Sequence, residues 1–322
     1  MKRIGLVAAV VAAAITGIAS GGDSHPAAAA AGSPTLGHVF LIIGENTSAS
    51  QITAAHAPYL TGTLKPRSAW VTSYHSFPKS SSLGNYIALT SGQFTRCEAN
   101  NDLPDHCHQR IDNVFQQLQS SGRTWLEFNE GAANPCDIVD HGAAWSKNIY
   151  SAHHNPALYY TGLHGNRYDE AITPSAPCRN SNLAMGTTGP DDTTTMDAAL
   201  ASGQVGSLDV IIPNDCENGH DPCGTKDPVR QFDDFLAREV PKIESSPAYG
   251  SDSEILITWD EGADKPLDPG NPLLVALGAG ISPGVVSSGS YDHYSLLRTV
   301  EDSFGLPRLR HARSAKALPI FG

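Results

Sequence analysis

Three apolar runs in this chain each end on acidic or amide side chains. Gly44-Glu45-Asn46 follows HVFLII, Pro213-Asn214-Asp215 follows SLDVII, and Asp260-Glu261-Gly262 follows EILITW. Carboxylates gathered in one place repel one another and are tolerated when a cation sits among them; hard oxygen donors of this kind suit a divalent metal. Taken singly, each is an ordinary turn former after a strand. Three in equivalent positions point to a ligand site at one edge of a sheet. Histidines add to the pattern: His154 lies in HHNP, His220-Asp221 follows Asn214-Asp215, and His293 opens the helical segment in YDHYSLLRTVED. A helix N-terminus lowers the pKa of an imidazole, which would keep His293 neutral as a ligand or hydrogen-bond partner. His38, His56 and His75 have no such context and read as surface or core residues.

A second stretch, KSSSLGNYIALTSG (79–92), places three hydroxyls ahead of a short apolar helix. The pattern predicts a helix start at Leu83 or Gly84, with Ser82 at the N-cap. Such a serine is either a plain cap or a nucleophile. The free N–H groups and positive potential of a helix end favour an alkoxide and an incoming phosphate alike. Spacing alone does not choose between the two roles.

These residues need a scaffold that brings strand ends together. HVFLII, SLDVII, EILITW and PLLVAL (272–277) are apolar, β-branched runs of the kind buried on both faces of a parallel sheet. Helical spacing recurs between and after them: Ile111, Val114, Phe115 and Leu118; Val229, Phe232, Leu236 and Val240; Leu297, Val300 and Phe304. The expected fold is α/β, a central mostly parallel sheet flanked by helices. Open sheets of this kind bind ligands at the carboxyl ends of their strands, where the acidic tripeptides lie. Residues from about Glu130 to Thr194 are rich in Gly, Pro, Asn and His and read as long excursions over that edge.

Lys2 and Arg3 precede the apolar run GLVAAVVAAAITGIAS, which reads as a signal peptide cleaved between Ala19 and Ala31. The expected organisation is therefore a signal peptide and linker over 1–31 and one domain over 32–322, secreted, with no integral membrane segment after cleavage. Six cysteines remain, an even count that in an exported chain favours disulfides. Pairing nearest neighbours joins Cys97 to Cys107, Cys136 to Cys178 and Cys216 to Cys223. The formal net charge of −12 argues against nucleic acid or an anionic bilayer as a surface-bound partner. Small anionic substrates remain compatible, since one metal ion inverts the sign of a local site.

The motifs HVFLIIGEN, SLGNYIALTSG, WLEFNEG, HHNP, IPNDCENGHD, ITWDEG and DHYSLLRTVEDSFGLPRL occur in one order from His38 to Arg308. In that order the chain resembles the bacterial secreted acid phosphatases of the phosphoesterase family. These include phosphatidylinositol 3-phosphate phosphatases and are related to phosphate-specific phospholipases C in the alkaline phosphatase superfamily. The resemblance implies an alkaline phosphatase-like sandwich with loops stapled over its catalytic edge. It places Glu45 and Asn46 on metal and phosphate, makes Ser82 the nucleophile, sets Asn85 on a phosphate oxygen and makes Asp260 and Glu261 metal ligands. His154, His220, Asp221 and His293 would line the site. The chain departs from the family pattern at Gly84, where Pro is usual, at Ser80-Ser81, where relatives often carry His-Pro, and at Asn218, where relatives often carry a carboxylate.

The expectation is thus a monomeric, metal-dependent phosphomonoesterase acting through a phosphoserine, with a general acid among the histidines and His293 preferred. Its cofactor would be one divalent ion among Ca, Mg, Zn or Fe, and its substrate a phosphate ester, with a phospholipid head group among the candidates. The alternatives are a phospholipase C-like phosphodiesterase and a catalytically impaired, metal-stabilised binding protein.

Overall fold

The computed structural model describes residues 34–321 apart from 78–80, 96–99, 143–149, 190, 225–226, 264–270 and 287–288. The expected signal peptide and linker, residues 1–31, lie outside the described residues. Among the described residues ten strands form: β1 (His38–Gly44), β2 (Ala69–Val71), β3 (Tyr74–His75), β4 (Trp125–Asn129), β5 (Asn182–Ala184), β6 (Leu208–Ile212), β7 (Ser253–Trp259), β8 (Leu274–Gly278), β9 (Gly284–Val286) and β10 (Tyr291–Asp292). The helices are α1 (Ser81–Ser91), α2 (Pro104–Cys107), α3 (Val114–Ser120), α4 (Thr161–His164), α5 (Ala176–Ser181), α6 (Thr194–Ser202), α7 (Pro228–Glu244) and α8 (His293–Phe304). Eight strands make one sheet in the order β5-β4-β6-β1-β7-β8-β2-β9, and β10 pairs with β3 beside it. β8 runs antiparallel to β7 and to β2, while the other pairs of the large sheet are parallel, so the sheet is mostly parallel as expected.

Strand periodicity explains why both faces are covered. Along β1, Val39, Leu41 and Ile43 join a core shared with α1, α3 and α8, while Phe40 and Ile42 join a second core shared with α6 and α7. Truncating one such side chain to Ala would cost about 2–5 kcal/mol. α7 starts at Pro228 behind an Asp227 cap whose carboxylate accepts the Val229 N–H. α8 is capped by Asp292, which accepts the Ser295 N–H at 3.0 Å, and ends at Gly305 in the left-handed region. That capping fixes His293 as the first residue of α8.

Because β6, β1 and β7 are adjacent and parallel, their carboxyl ends deliver Asp215, Glu45 and Asp260 to one edge. Disulfides Cys136–Cys178 and Cys216–Cys223 form as expected, with Cα separations of 6.0 and 5.3 Å. Cys107 is also disulfide-bonded; Cys97, its expected partner, lies outside the described residues.

Candidate active site

Glu45 leaves β1 fully buried, and its backbone is held from the neighbouring loop, where the Glu45 N–H donates to the Asn218 carbonyl at 2.7 Å. Only glycine fits just before it, because a Cβ on Gly44 would lie 2.6 Å from the Trp259 ring. Asn46 then turns the chain in the left-handed region at φ 42°, a conformation Asn tolerates better than most residues. Its N–H donates to Asp260 Oδ1 at 3.2 Å.

Ser82 meets this corner. Its hydroxyl donates to Glu45 Oε2 at 3.2 Å, and one turn on, Tyr86 donates to Glu45 Oε1 at 2.6 Å. The helix starts earlier than the sequence pattern predicts: α1 begins at Ser81, so Ser82 sits in its first turn and does not cap it. The first turn still presents backbone N–H groups, one of which, from Leu83, donates to Asn101 Oδ1 at 2.9 Å. Asn85 is fully buried; its Oδ1 accepts from the Phe77 N–H at 3.0 Å and its Nδ2 donates to Glu261 Oε2 at 3.3 Å.

On the other side of Glu45 lies His154. Its Nε2 is 3.4 Å from Glu45 Oε1 and its Nδ1 is 3.0 Å from Asp215 Oδ1. Asp215 also accepts from Ser151 at 2.5 Å and from Asn218 Nδ2 at 3.0 Å. Asn218 therefore ties Glu45 to Asp215 through an amide donor, a bond that a carboxylate at this position could not make. Asp215 and His154 support each other as an ion pair. Burial opposes charge on both, yet their mutual attraction outweighs it, so the Asp215 pKa falls below and the His154 pKa rises above the ordinary values.

Glu45 and Asp260 behave differently. Burial, and for Glu45 the facing charge of Asp260, push both carboxyls above the ordinary range. Two hard oxygens here, Asp260 Oδ2 and Asn46 Oδ1, are buried without a hydrogen-bond partner. Among the described residues no three His, Cys, Asp or Glu side chains converge closely enough to hold an ion. The donor set is therefore a carboxylate and a carboxamide oxygen with Glu45 beside them, all of them hard oxygen donors of the type a divalent cation takes.

His293 is fully buried and bridges two groups, Nε2 to the Asp260 carbonyl at 2.6 Å and Nδ1 to the Tyr74 hydroxyl at 2.7 Å. A carbonyl only accepts, so Nε2 carries the proton and Nδ1 accepts from Tyr74. The ring is neutral as expected, but burial is the cause, lowering its pKa to about 4. With both nitrogens engaged it orients Asp260. His220 is exposed and pairs with Asp221 at 2.7 Å on the Cys216–Cys223 loop, where neither residue bonds to Glu45, Ser82 or Asp260 among the described residues. Tyr86 and Ser151 escape sequence reading, and Asp215 reads there only as one more acid after a strand. Tyr86 had one available signal: it lies four residues after Ser82, on the same helix face.

Comparison with known proteins bears on the family and the fold. The phosphoesterase family profile matches residues 53–307. A phosphatidylinositol-3-phosphatase of Mycobacterium tuberculosis is 24% identical over 96% of this chain and 90% of its own length. A Kluyveromyces lactis protein named probable acid phosphatase is 24% identical over 78% of this chain and 54% of its own length. In three dimensions, an alkaline phosphatase superfamily protein from Vibrio parahaemolyticus superposes with a TM-score of 0.57 at 11% identity, over 88% of this chain and 72% of that one. The chain belongs to the phosphoesterase family and is a phosphoric ester hydrolase on an alkaline phosphatase-like fold.

Proposed function

We propose that the protein is an exported, metal-dependent phosphomonoesterase that works through a phosphoserine at Ser82. The observation that carries this reading is the Ser82 hydroxyl donating to a buried carboxylate, Glu45, beside the unpartnered oxygens of Asp260 and Asn46. Asp260 and Asn46, with Glu45 beside them, would hold the ion; Glu261, which accepts from Asn85, would have to turn to join them. When bound, a divalent cation would neutralise these carboxylates, polarise the phosphoryl oxygens and lower the pKa of the serine hydroxyl.

Ser82 Oγ attacks phosphorus in line while its proton passes to Glu45 Oε2, and Tyr86 holds that carboxylate in place. Tyr86 stays a donor because burial, and then the Glu45 charge, raise its pKa well above the ordinary value. Asn85 Nδ2 and the first turn of α1 offer donors to the equatorial oxygens. We assign the proton for the leaving oxygen to His154, oriented by Asp215, in place of His293, whose ring is committed on both nitrogens. A water then displaces phosphate from Ser82, giving its proton to His154 while Glu45 returns its own to Ser82.

Export through a leader in residues 1–31, followed by one domain over 32–322, agrees with the disulfides, which persist in oxidising compartments. His220 and Asp221 would contact the outer part of the substrate. The names of the relatives make phosphoinositides and other phosphomonoesters the substrates to screen first. The test is phosphate release from a chromogenic phosphomonoester and its matching diester, with chelator and after metal is restored. Monoester turnover that chelation stops and metal restores is the expected result. Preference for the diester would favour a phosphodiesterase, and no turnover of either ester would overturn the assignment.

A further inference from the structure

The large hydrophobic residues exposed among the described ones are Val285, on edge strand β9, and Phe94, which is 38% exposed and lies beside the site. Phe94 belongs to a cluster of rings drawn from three separate segments. Its centroid is 5.0 Å from that of Phe77, nearly perpendicular at 87°, and 6.2 Å from that of Tyr294. Phe77 and Tyr294 lie 4.5 Å apart at 39°.

Phe77 joins this cluster to the reacting centre in two ways. Its N–H holds Asn85 Oδ1 at 3.0 Å, and its ring meets His293 edge-on at 5.7 Å, the same imidazole that holds the Asp260 carbonyl. Phosphoryl-binding groups and aromatic shelf are thus one side chain apart. Ordering three rings and leaving one wet is unfavourable for the folded protein alone, whereas a further ring laid on the shelf would remove that apolar surface from water. Among the described residues the ring partners of the cluster are His293, edge-on to Phe77, and His311, stacked on Tyr294 at 5.0 Å, so the shelf offers stacking and shape.

We propose that Phe77, Phe94 and Tyr294 form a leaving-group shelf that takes the planar ring of an aryl or nucleoside phosphomonoester. This inference rests on the phosphatase reading above and narrows its substrate class. The ester oxygen of such a substrate faces Ser82 and Asn85 while the ring lies against Phe94.

The test compares kcat/KM for 1-naphthyl phosphate, adenosine 5′-monophosphate, glycerol phosphate and a short-chain phosphatidic acid in the wild type, Phe94→Ala and Phe94→Leu. The ratio of a ring-bearing ester to glycerol phosphate should fall by about 3- to 10-fold in Phe94→Ala, the scale of one aromatic contact, and by less in Phe94→Leu, which keeps apolar area. Whether naphthyl phosphate or the nucleotide loses more identifies which ring source fits. Calorimetric titration with phenylphosphonate and methylphosphonate reads the same ratio without turnover. An unchanged ratio in both variants, or a fall confined to the phosphatidic acid, overturns the proposal. Hydrolysis of the ring-bearing esters with no dependence on Phe94 defeats the shelf while leaving the phosphatase reading intact, whereas a wild type that hydrolyses none of the four defeats both.

Discussion

Two groups of buried carboxylates among the described residues are balanced in opposite ways. Glu130, beyond the end of β4, and Glu239, on α7, are fully buried, and α7 brings its own cations to them. Arg238 forms paired bonds to Glu217 at 3.1 and 2.5 Å, reaches Glu239 at 2.6 Å and stands 3.8 Å from Glu130; Lys242 pairs with Glu239 at 3.1 Å and Asp197 at 2.8 Å. Glu45, Asp260 and Asp215 are equally hidden, yet among the described residues their ion pairs go to His154 alone. A carboxylate cluster with cations of its own is a structural device. Under the function proposed above, one whose ion pairs among the described residues go to a single histidine would take its charge from outside.

The sharpest break between the two comes from the nucleophile. Ser82→Ala should lower turnover by about 10³-fold or more while leaving thermal stability and metal content as in the wild type. Acid-quenched wild type should carry phosphate on the peptide containing Ser82. Near-normal turnover in the variant would remove the site from Glu45 altogether.

Arg238→Met should do the reverse. Two carboxylates would lose their cation, at a cost of about 2–3 kcal/mol, with metal binding preserved. Urea unfolding checks the first point and elemental analysis the second; equal stability would mean that the α7 cluster is not held by charge.

How much of this contrast is legible in the sequence depends on distance along the chain. β1, β6, β7 and β8 stand out as unbroken apolar runs, and their ends locate Glu45 and Asp260. β4 does not, because Glu127 and Asn129 interrupt its apolar pattern although both side chains are buried. The two- and three-residue strands β2, β3, β5, β9 and β10 are too short for any period to register. Ser82 is legible as a helix-start hydroxyl. Its bond to Glu45 spans 37 residues and that of His154 to Asp215 spans 61, separations that only the folded sheet closes. His293 shows the limit most clearly: its neutrality is expected from a helix start but comes from burial, and both that burial and its engagement by Tyr74 and Asp260 need tertiary structure.

A smaller effect sharpens the comparison by adding carboxyls that belong to neither cluster. Burial raises Glu127 and Glu254 to about 8 and Glu301 to about 9. A carboxyl whose folded pKa lies above its unfolded value is protonated in the fold while the unfolded chain ionises, so its stabilising contribution is intact below about pH 4.5 and is lost as pH rises towards 8 or 9. Unfolding free energy should therefore decline from pH 5 to pH 8, with a slope of at most about 1.4 kcal/mol per pH unit for each carboxyl. Glu254→Gln should flatten that slope, and a stability that rises over this window would contradict the assignment.

The most direct measurement is thermal unfolding of chelator-stripped protein as a divalent metal is added, for wild type, Asp260→Asn and Arg238→Met. Preferential binding to the folded state stabilises by about 2.7 kcal/mol at a hundredfold excess over Kd. Wild type and Arg238→Met should therefore climb in Tm as metal is added. Asp260→Asn should start at or above the wild-type Tm without metal, since one of two repelling carboxylates is gone, and then stay level. A wild type indifferent to Ca, Mg, Zn and Fe, or an Asp260→Asn variant that climbs as steeply as wild type, would contradict the claim that the strand-end carboxylates are built to receive a cation.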